Sequence, residues 1–305
     1  MTREAEIGHD TRLGRPTDLA LYTRAAHTSS ATIIHEYSTS FGLATRLLAP
    51  AIRPQVEDVY ALVRIADEIV DGAAGEAGLT LDDQRDLLDA LEADTEQAMR
   101  TGYSANVVVH SFATTARSVG IDRTLTAPFF ASMRRDLSPV DFSSDELSAY
   151  IYGSAEVIGL MCLRVFLAPA AVPDDRRLRL EAGARRLGAA FQKINFLRDV
   201  AEDWSRLGRS YFPGIDPARL TDRQKLALVV DIECDLGAAA DAIPELPDNC
   251  RRAILAAHGL FAELTDRIRS TPARQLLAAR VRVPARTKLT VLLRASAGWG
   301  AGATR

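Results

Sequence analysis

Two helical segments, about 130 residues apart, carry acidic side chains at the spacing of one helix face. The first, YALVRIADEIVDG, places Asp67 and Asp71 at i, i+4. The second, FQKINFLRDVAEDW, places Asn195, Asp199 and Asp203 at i, i+4, i+8. At about 100° per residue, each set forms a stripe along one side of its helix. Two facing stripes of carboxylate and amide oxygens suit Mg²⁺, which commonly binds substrate phosphates. The pattern therefore predicts chemistry on a diphosphate ester.

The residues around the first stripe indicate that it faces a cavity. Tyr60 and Arg64 share an arc of about 60° with Asp67 and Asp71, and most of the remaining helix is apolar. A helix that is apolar nearly all round is normally buried, and buried carboxylates need partners. A solvated charged face is the commoner explanation of i, i+4 acids, but it predicts interleaved lysines, which neither stripe carries. We therefore expect both stripes to face cations.

The amino-acid composition argues against nucleic-acid-binding, membrane-spanning and zinc-binding proteins. The chain has 305 residues, of which 47% are hydrophobic and 25% are charged, as is usual for a soluble globular protein. A net charge of −3 argues against a nucleic-acid surface. No uninterrupted apolar run reaches the ~18 residues of a membrane-spanning helix, and the N-terminus lacks a signal-peptide core. The three cysteines and five histidines show no metal-ligand spacing. We expect a cytoplasmic protein with reduced thiols and no zinc.

Hydrophobic periodicity predicts an all-α single domain with a core large enough for an internal pocket. No alternating pattern indicates a sheet, and residues 1–16 are expected to be a mobile tail. The predicted helical segments are 18–49, 54–71, 81–101, 105–119, 122–136, 143–167, 174–207, 221–242, 248–270 and 285–297.

The two stripes belong to an ordered series of blocks that resembles a known family. The blocks are SFGLATRLLAPAIRPQVEDVYALVRIADEIVDG, YIYGSAEVIGLMC, GAAFQKINFLRDVAEDWSRLGRSYFP and LFAELTDRIRSTPARQLLAARVRVPARTKL. From about Tyr22 to Ala297 they resemble the squalene/phytoene synthase family of head-to-head prenyl transferases, in particular its carotenoid-forming members from actinobacteria. The resemblance implies an isoprenoid-synthase-like helical bundle with a central cavity, formed by residues 17–305. It also implies Mg²⁺-dependent condensation (Mn²⁺ could substitute) of two geranylgeranyl diphosphates to phytoene through prephytoene diphosphate.

The resemblance assigns roles to individual side chains. The implied metal ligands are Asp67, Asp71, Asn195, Asp199 and Asp203. The implied substrate contacts are Ser40, Phe41, Arg64, Val157, Gln192, Asn195, Arg198, Arg209 and Tyr211. The implied catalytic residues are Tyr60, Arg64, Tyr150 and Arg198, with the two tyrosines offering aromatic faces to a carbocation. Two positions depart from the family pattern: Glu68 stands where an Asp is frequent, and Phe261 where many relatives carry Tyr.

Several alternatives stay open. A C15 enzyme that makes dehydrosqualene or squalene from farnesyl diphosphate fits the same blocks, and small residues such as Gly153, Ala155 and Ala189 are candidates for making room for longer chains. A non-catalytic assembly or lipid-binding module is the alternative from another class, although such a protein should have lost stripe residues. Peripheral association with the inner face of the membrane fits either class. Lys193, Arg185 and Arg186 are expected to be surface charges.

Overall fold

The structure is a computed structural model that describes residues 9–10, 15–138, 142–207 and 210–298. Within these ranges, it does not describe the side chains of residues 9, 10, 15, 39, 40, 202, 203 and 205–207.

The described chain is almost entirely helical, which confirms the predicted all-α class. A two-residue antiparallel pairing joins His9–Asp10 (β1) to Arg15–Pro16 (β2), inside the segment predicted to be a tail. The α-helices are Asp18–Tyr37 (α1), Thr39–Thr45 (α2), Arg53–Val70 (α3), Ala73–Glu76 (α4), Leu81–Thr101 (α5), Val107–Val119 (α6), Arg123–Asp136 (α7), Ser144–Ile151 (α8), Val157–Leu167 (α9), Asp174–Leu207 (α10), Asp222–Ala242 (α11), Asp248–Ser270 (α12), Ala273–Leu276 (α13) and Ala285–Ser296 (α14). A π-helical turn covers Tyr152–Glu156, and 3₁₀ turns cover Pro217–Arg219 and Ile243–Glu245.

The predicted first helix, 18–49, is wrong in one respect, because the structure divides it into α1 and α2. Ser38 separates them with an extended backbone at φ −138° and ψ 111°. Its side chain accepts a hydrogen bond from the Phe41 backbone N–H at 3.1 Å, so Ser38 caps the N-terminus of α2. The break turns α2 out of line with α1 and positions Phe41 independently.

The predicted helix 143–167 is also interrupted, by the π-helical turn between α8 and α9. A Cβ atom added at Gly153 would lie 2.2 Å from both the Pro128 carbonyl oxygen and Ser132 Oγ of α7. The Ser132 hydroxyl donates to the Tyr150 carbonyl oxygen at 3.1 Å. Gly153 therefore allows close helix packing, since the space that its missing side chain leaves is filled by α7 in this conformation.

The core is organised around α9. Helix α3 packs on one side of α9, while α10 packs on another and also contacts the π-helical turn. Over the described residues, no principal packing contact joins α3 directly to α10. The two helices that carry the acidic stripes are therefore connected mainly through α9, and we call the region between their stripes the gap. A cavity of about 90 Å³ lies elsewhere, among α7, α9 and the N-terminal part of α10.

One stretch of the described chain, Ser144–Leu167, is long and apolar enough to cross a membrane by length and composition alone. Within its most apolar window, 61% of the residues are buried inside the fold. That is the arrangement expected for the core helix of a soluble protein.

Candidate active site

Helix α3 presents its acidic stripe beside a fully packed face. Pro54 lies at the start of the helix, where its missing N–H costs nothing. Ala61, Leu62 and Ala66 are buried with almost no exposed area, which orients the helix. The last turn carries acids and no basic residue. Acids at a helix C-terminus oppose the helix dipole, so a cation would be favoured there.

Arg64 ties the first stripe together. Its Nη1 donates to Asp67 Oδ2 at 3.1 Å, and its Nη2 donates to Glu68 Oε1. The guanidinium also stacks over the Tyr37 ring, 4.4 Å from the ring centroid. Burial lowers the pKa of Arg64, but the hydrogen bond to Glu68 and the neighbouring carboxylates raise it by more, so the net pKa is raised. Arg64 Nε is buried without a hydrogen-bond partner among the described residues.

Glu68 is held by protein groups at both oxygens. Besides Arg64 at Oε1, Oε2 accepts the Ala73 backbone N–H at 2.9 Å. Burial raises the pKa of Glu68, while the hydrogen bonds from Ala73 and Arg64 lower it by more, so the net pKa is lowered. Gly72 permits this arrangement, because a Cβ there would lie 2.3 Å from Glu68 Oε2. Glu68 therefore holds the Arg64 side chain in place and links it to the backbone that follows α3.

On α10, Asp199 is clamped by two arginines. Arg198 Nε donates to Asp199 Oδ1 at 2.9 Å, and Arg198 Nη2 donates to Oδ2. Arg280, in the segment before α14, approaches the same carboxylate, with Nε 2.7 Å from Oδ1 and Nη2 3.2 Å from Oδ2. Arg280 was missed by the sequence analysis, because nothing in the sequence brings residue 280 next to residue 199.

The two amide side chains of the second stripe, unlike Asp199, have no described arginine beside them as a hydrogen-bond partner. The side chains of Gln192 and Asn195 are half-buried, and neither makes a hydrogen bond to another described residue. Between them, Lys193 points the other way and bridges Asp231 at 2.6 Å and Asp235 at 2.8 Å on α11. The surface position predicted for Lys193 is wrong, since only 19% of its side chain is exposed.

Aromatic rings connect the two sides of the gap. The Phe41 centroid lies 6.4 Å from that of Tyr60 on α3 and 5.9 Å from that of Phe191 on α10. Phe191 in turn stacks on Phe261 with centroids 3.7 Å apart. Burial raises the pKa of Tyr60, so its phenol stays protonated at neutral pH.

Tyr150 and Tyr211 share a second aromatic cluster. Their ring centroids are 6.2 Å apart, and Tyr211 stacks on Phe196 at 3.8 Å. The Tyr150 hydroxyl donates to Asp136 Oδ1 at 2.7 Å, and both residues are buried. Val157 has no exposed area and packs in the core with Met161, so it offers a ligand no surface in this conformation.

Asp71 follows the last residue of α3, and its backbone N–H donates to the Asp67 carbonyl oxygen at 2.9 Å. Three other predicted site residues are described only in part or not at all. The side chains of Ser40 and Asp203, and the whole of Arg209, lie outside the described residues.

The donor set suits a hard cation held together with a phosphate ligand. No three His, Cys, Asp or Glu residues converge on one point, as far as the described side chains extend. Mg²⁺ does not require such a cage, because it is usually held by one or two carboxylates plus substrate phosphates. The acidic end of α3, the half-buried oxygens of α10 and the orphaned Arg64 Nε all fit a diphosphate with its cations.

The fold is all-α, and the comparisons with known proteins identify the family of the chain. The chain belongs to the squalene/phytoene synthase family, whose model matches residues 34–287. The members of this family are prenyltransferase-like enzymes of head-to-head condensation that bind prenyl diphosphates.

Similar proteins are named for three activities. A 15-cis-phytoene synthase from Paracoccus is 29% identical over 79% of this chain and 81% of its own length. A chloroplastic phytoene synthase from Zea mays is 32% identical over 67% of this chain, but the match spans only 46% of that longer protein. A dehydrosqualene synthase crystal structure aligns with a TM-score of 0.75 at 22% identity, covering 92% of this chain and 99% of its own. A squalene synthase from Alicyclobacillus acidocaldarius aligns with a TM-score of 0.69 at 19% identity, covering 84% and 96%.

Proposed function

We propose that this protein catalyses the Mg²⁺-dependent head-to-head condensation of two geranylgeranyl diphosphates to phytoene through prephytoene diphosphate. The observation that carries this proposal is the pair of arginine-clamped acidic stripes, Arg64 with Asp67 on α3 and Arg198 with Asp199 on α10. Both helices pack on α9, and the gap between their stripes is where we propose that the diphosphates bind. Such a pair of stripes suits two diphosphates.

The arginines would exchange partners when substrate binds. Arg198 and Arg280 now neutralise Asp199, and Arg64 neutralises Asp67. Guanidinium groups bind phosphate in a bidentate manner as readily as carboxylate. Bound Mg²⁺ would replace the arginines as the partner of the carboxylates, and it would stabilise the negative charge on the leaving diphosphate. Asp67, Asp71, Asn195, Asp199 and Asp203 are the residues we propose as its ligands.

The aromatic rings would protect the cation that remains when diphosphate leaves. Phe41 contacts Tyr60 of α3 and Phe191 of α10, and an aromatic face stabilises a nearby cation. They also exclude water, which would convert the cation to an alcohol. We propose that Tyr150 is a catalytic residue. Its hydroxyl donates a hydrogen bond to the Asp136 carboxylate, which holds the phenol ring in position.

The choice of C20 substrate rests on relatives named phytoene synthases, which are 26–32% identical to this chain. Two geranylgeranyl diphosphates give phytoene by losing two diphosphates and two protons, so no reductant enters. The second candidate is a C15 enzyme that makes dehydrosqualene or squalene. The solved structures with those names are no more than 22% identical, which supports the shared fold and not the substrate.

The test is turnover by the purified protein, supplied with geranylgeranyl diphosphate and Mg²⁺ but no nicotinamide. We expect a C40 hydrocarbon and complete inhibition by excess chelator. Asp199→Asn should lose at least about a hundredfold in kcat, the scale of removing one preorganised electrostatic group. Asp231→Asn is the matched control, because Asp231 is an exposed acid on α11 outside the gap. Full turnover in chelator, or equal loss in both variants, would contradict the proposal.

A further inference from the structure

Helix α14 leaves two large apolar side chains uncovered. Leu289 and Leu293 are 58% and 62% exposed and stand one helical turn apart. The opposite side of the helix is packed, with Ala295 buried and Leu292 contacting the cluster formed by Ala44, Ala256 and Ala257. The helix is therefore anchored on α2 and α12 by one face while an apolar strip points outward.

The chain segment that carries this strip contains only basic charged residues. Residues 267–305 contain nine Lys or Arg and no Asp or Glu, in a chain whose net charge is −3. Arg286 and Arg294 lie on α14 beside the exposed leucines, and Arg282 lies just before the helix. All three are exposed, and none makes an ion pair with a residue that the structure describes. An anionic partner would therefore meet no competing carboxylate on this helix.

We propose that the outer face of α14, formed by Arg286, Leu289, Leu293 and Arg294, docks on the surface of an anionic lipid bilayer. A helix with apolar side chains on one strip and arginines beside it lies in the membrane interface, where the apolar groups enter the acyl boundary. Basic residues near an anionic leaflet each add to the attraction. The leucines and the arginines thus contribute to the same binding event.

A second copy of this chain is a poorer occupant of the same face. A two-fold contact would place the same patch on both subunits. Arg286 and Arg294 of one copy would then face the arginines of the other, with no acid on either helix to compensate. The charge of the helix therefore favours lipid over self-association.

The location of the face gives the docking a purpose, and this part of the inference rests on the proposed function. The inner side of α14 belongs to the same apolar cluster as Phe191, whose ring also contacts Phe41. A membrane bound to α14 would lie close to the aromatic end of the gap, where a C40 hydrocarbon is formed. Such a product partitions into lipid rather than water. The family match ends at residue 287, so Leu289, Leu293 and Arg294 lie beyond it.

The test is co-sedimentation of the full chain with vesicles, without substrate, so that its outcome does not depend on enzyme activity. The vesicles are pure phosphatidylcholine or phosphatidylcholine mixed with phosphatidylglycerol. We expect binding to the mixed vesicles and little to the neutral ones. Added salt should weaken it, since salt screens charge. Leu289→Ser with Leu293→Ser, and separately Arg286→Glu with Arg294→Glu, should each weaken binding by roughly tenfold or more.

The matched control is Leu226→Ser with Val230→Ser. This pair is also exposed and one turn apart, but it lies on α11, which carries several acids. The control should bind like the unmodified protein. Equal binding by the leucine double variant, or no preference for anionic vesicles, would overturn the proposal. So would a stable dimer that dissociates when Leu289 and Leu293 are replaced, because the face would then be covered by a second copy.

Discussion

Replacing Gly153 by alanine distinguishes a packing role from a role in admitting substrate. The added Cβ would lie 2.2 Å from the Pro128 carbonyl oxygen and from Ser132 Oγ. Ordinary contacts of this kind are well over 3 Å, so α7 and the π-helical turn would have to separate by about 1 Å. The serine hydroxyl can rotate away, but the carbonyl belongs to the backbone and cannot.

The expected cost follows from these contacts. Overpacking a core typically costs about 1–3 kcal/mol, and a clash with backbone belongs at the upper end. Because alanine favours the helix over glycine by about 1 kcal/mol, the net loss in the free energy of unfolding is about 2 kcal/mol. At about 2.1 cal/mol/K per residue, 305 residues have an unfolding entropy of about 0.6 kcal/mol/K. The melting temperature should therefore fall by roughly 3 °C.

Thermal unfolding followed by circular dichroism measures this shift, and product analysis accompanies it. Gly237→Ala is the matched control, since Gly237 lies within α11 and a Cβ there would meet nothing within 4 Å. That variant should gain about 0.5–1 kcal/mol and melt about 1 °C higher. A Gly153→Ala protein with unchanged stability and a shorter hydrocarbon product would refute the packing explanation.

Three further predictions concern charged groups. Arg280→Ala should lower kcat/KM by about 10–100-fold, as expected for a lost charged hydrogen bond, and unchanged kinetics would remove Arg280 from the site. Glu68→Gln should lower turnover less than Asp199→Asn, because Glu68 positions Arg64; an equal loss would favour a direct metal role. The hydrogen bond to Asp58 raises the pKa of His27, and partial burial opposes it. This pair therefore stabilises the protein fully below pH ~6.5, and its contribution is lost as pH rises through the raised pKa. Urea unfolding should show that His27→Gln is most destabilising at low pH, and a pH-independent difference would contradict this.

The long helices could be predicted because strong local signals mark their ends. The predicted segment 248–270 matches α12, which follows Pro247 and ends two residues before Pro272. The break at Ser38 was missed because a capping serine and a serine inside a helix differ only in backbone conformation. The π-helical turn was missed because it differs from the flanking α-helices in backbone hydrogen bonding, which side-chain periodicity does not reveal.

Helical spacing predicted which acidic and arginine side chains lie side by side, but it could not predict contacts between segments that are distant in the sequence. Asp67 and Asp199 each lie on a stripe with the arginine expected beside it. Arg280 reaches Asp199 from 81 residues away, which no local pattern reveals. Lys193 was misjudged because its two partners, Asp231 and Asp235, lie on α11.

Competition between substrates tests the central claim most directly. The purified protein would receive equal farnesyl and geranylgeranyl diphosphate with Mg²⁺ and no reductant, and the hydrocarbons would be separated by chromatography. Each additional five-carbon unit buried gains several kcal/mol at roughly 0.8 kcal/mol per CH₂, so a gap that accommodates the C20 chain should select it. We predict phytoene as the dominant product. A dominant C30 hydrocarbon would contradict the C20 assignment, and the absence of any hydrocarbon from a folded, Mg²⁺-supplied protein would contradict the enzyme itself.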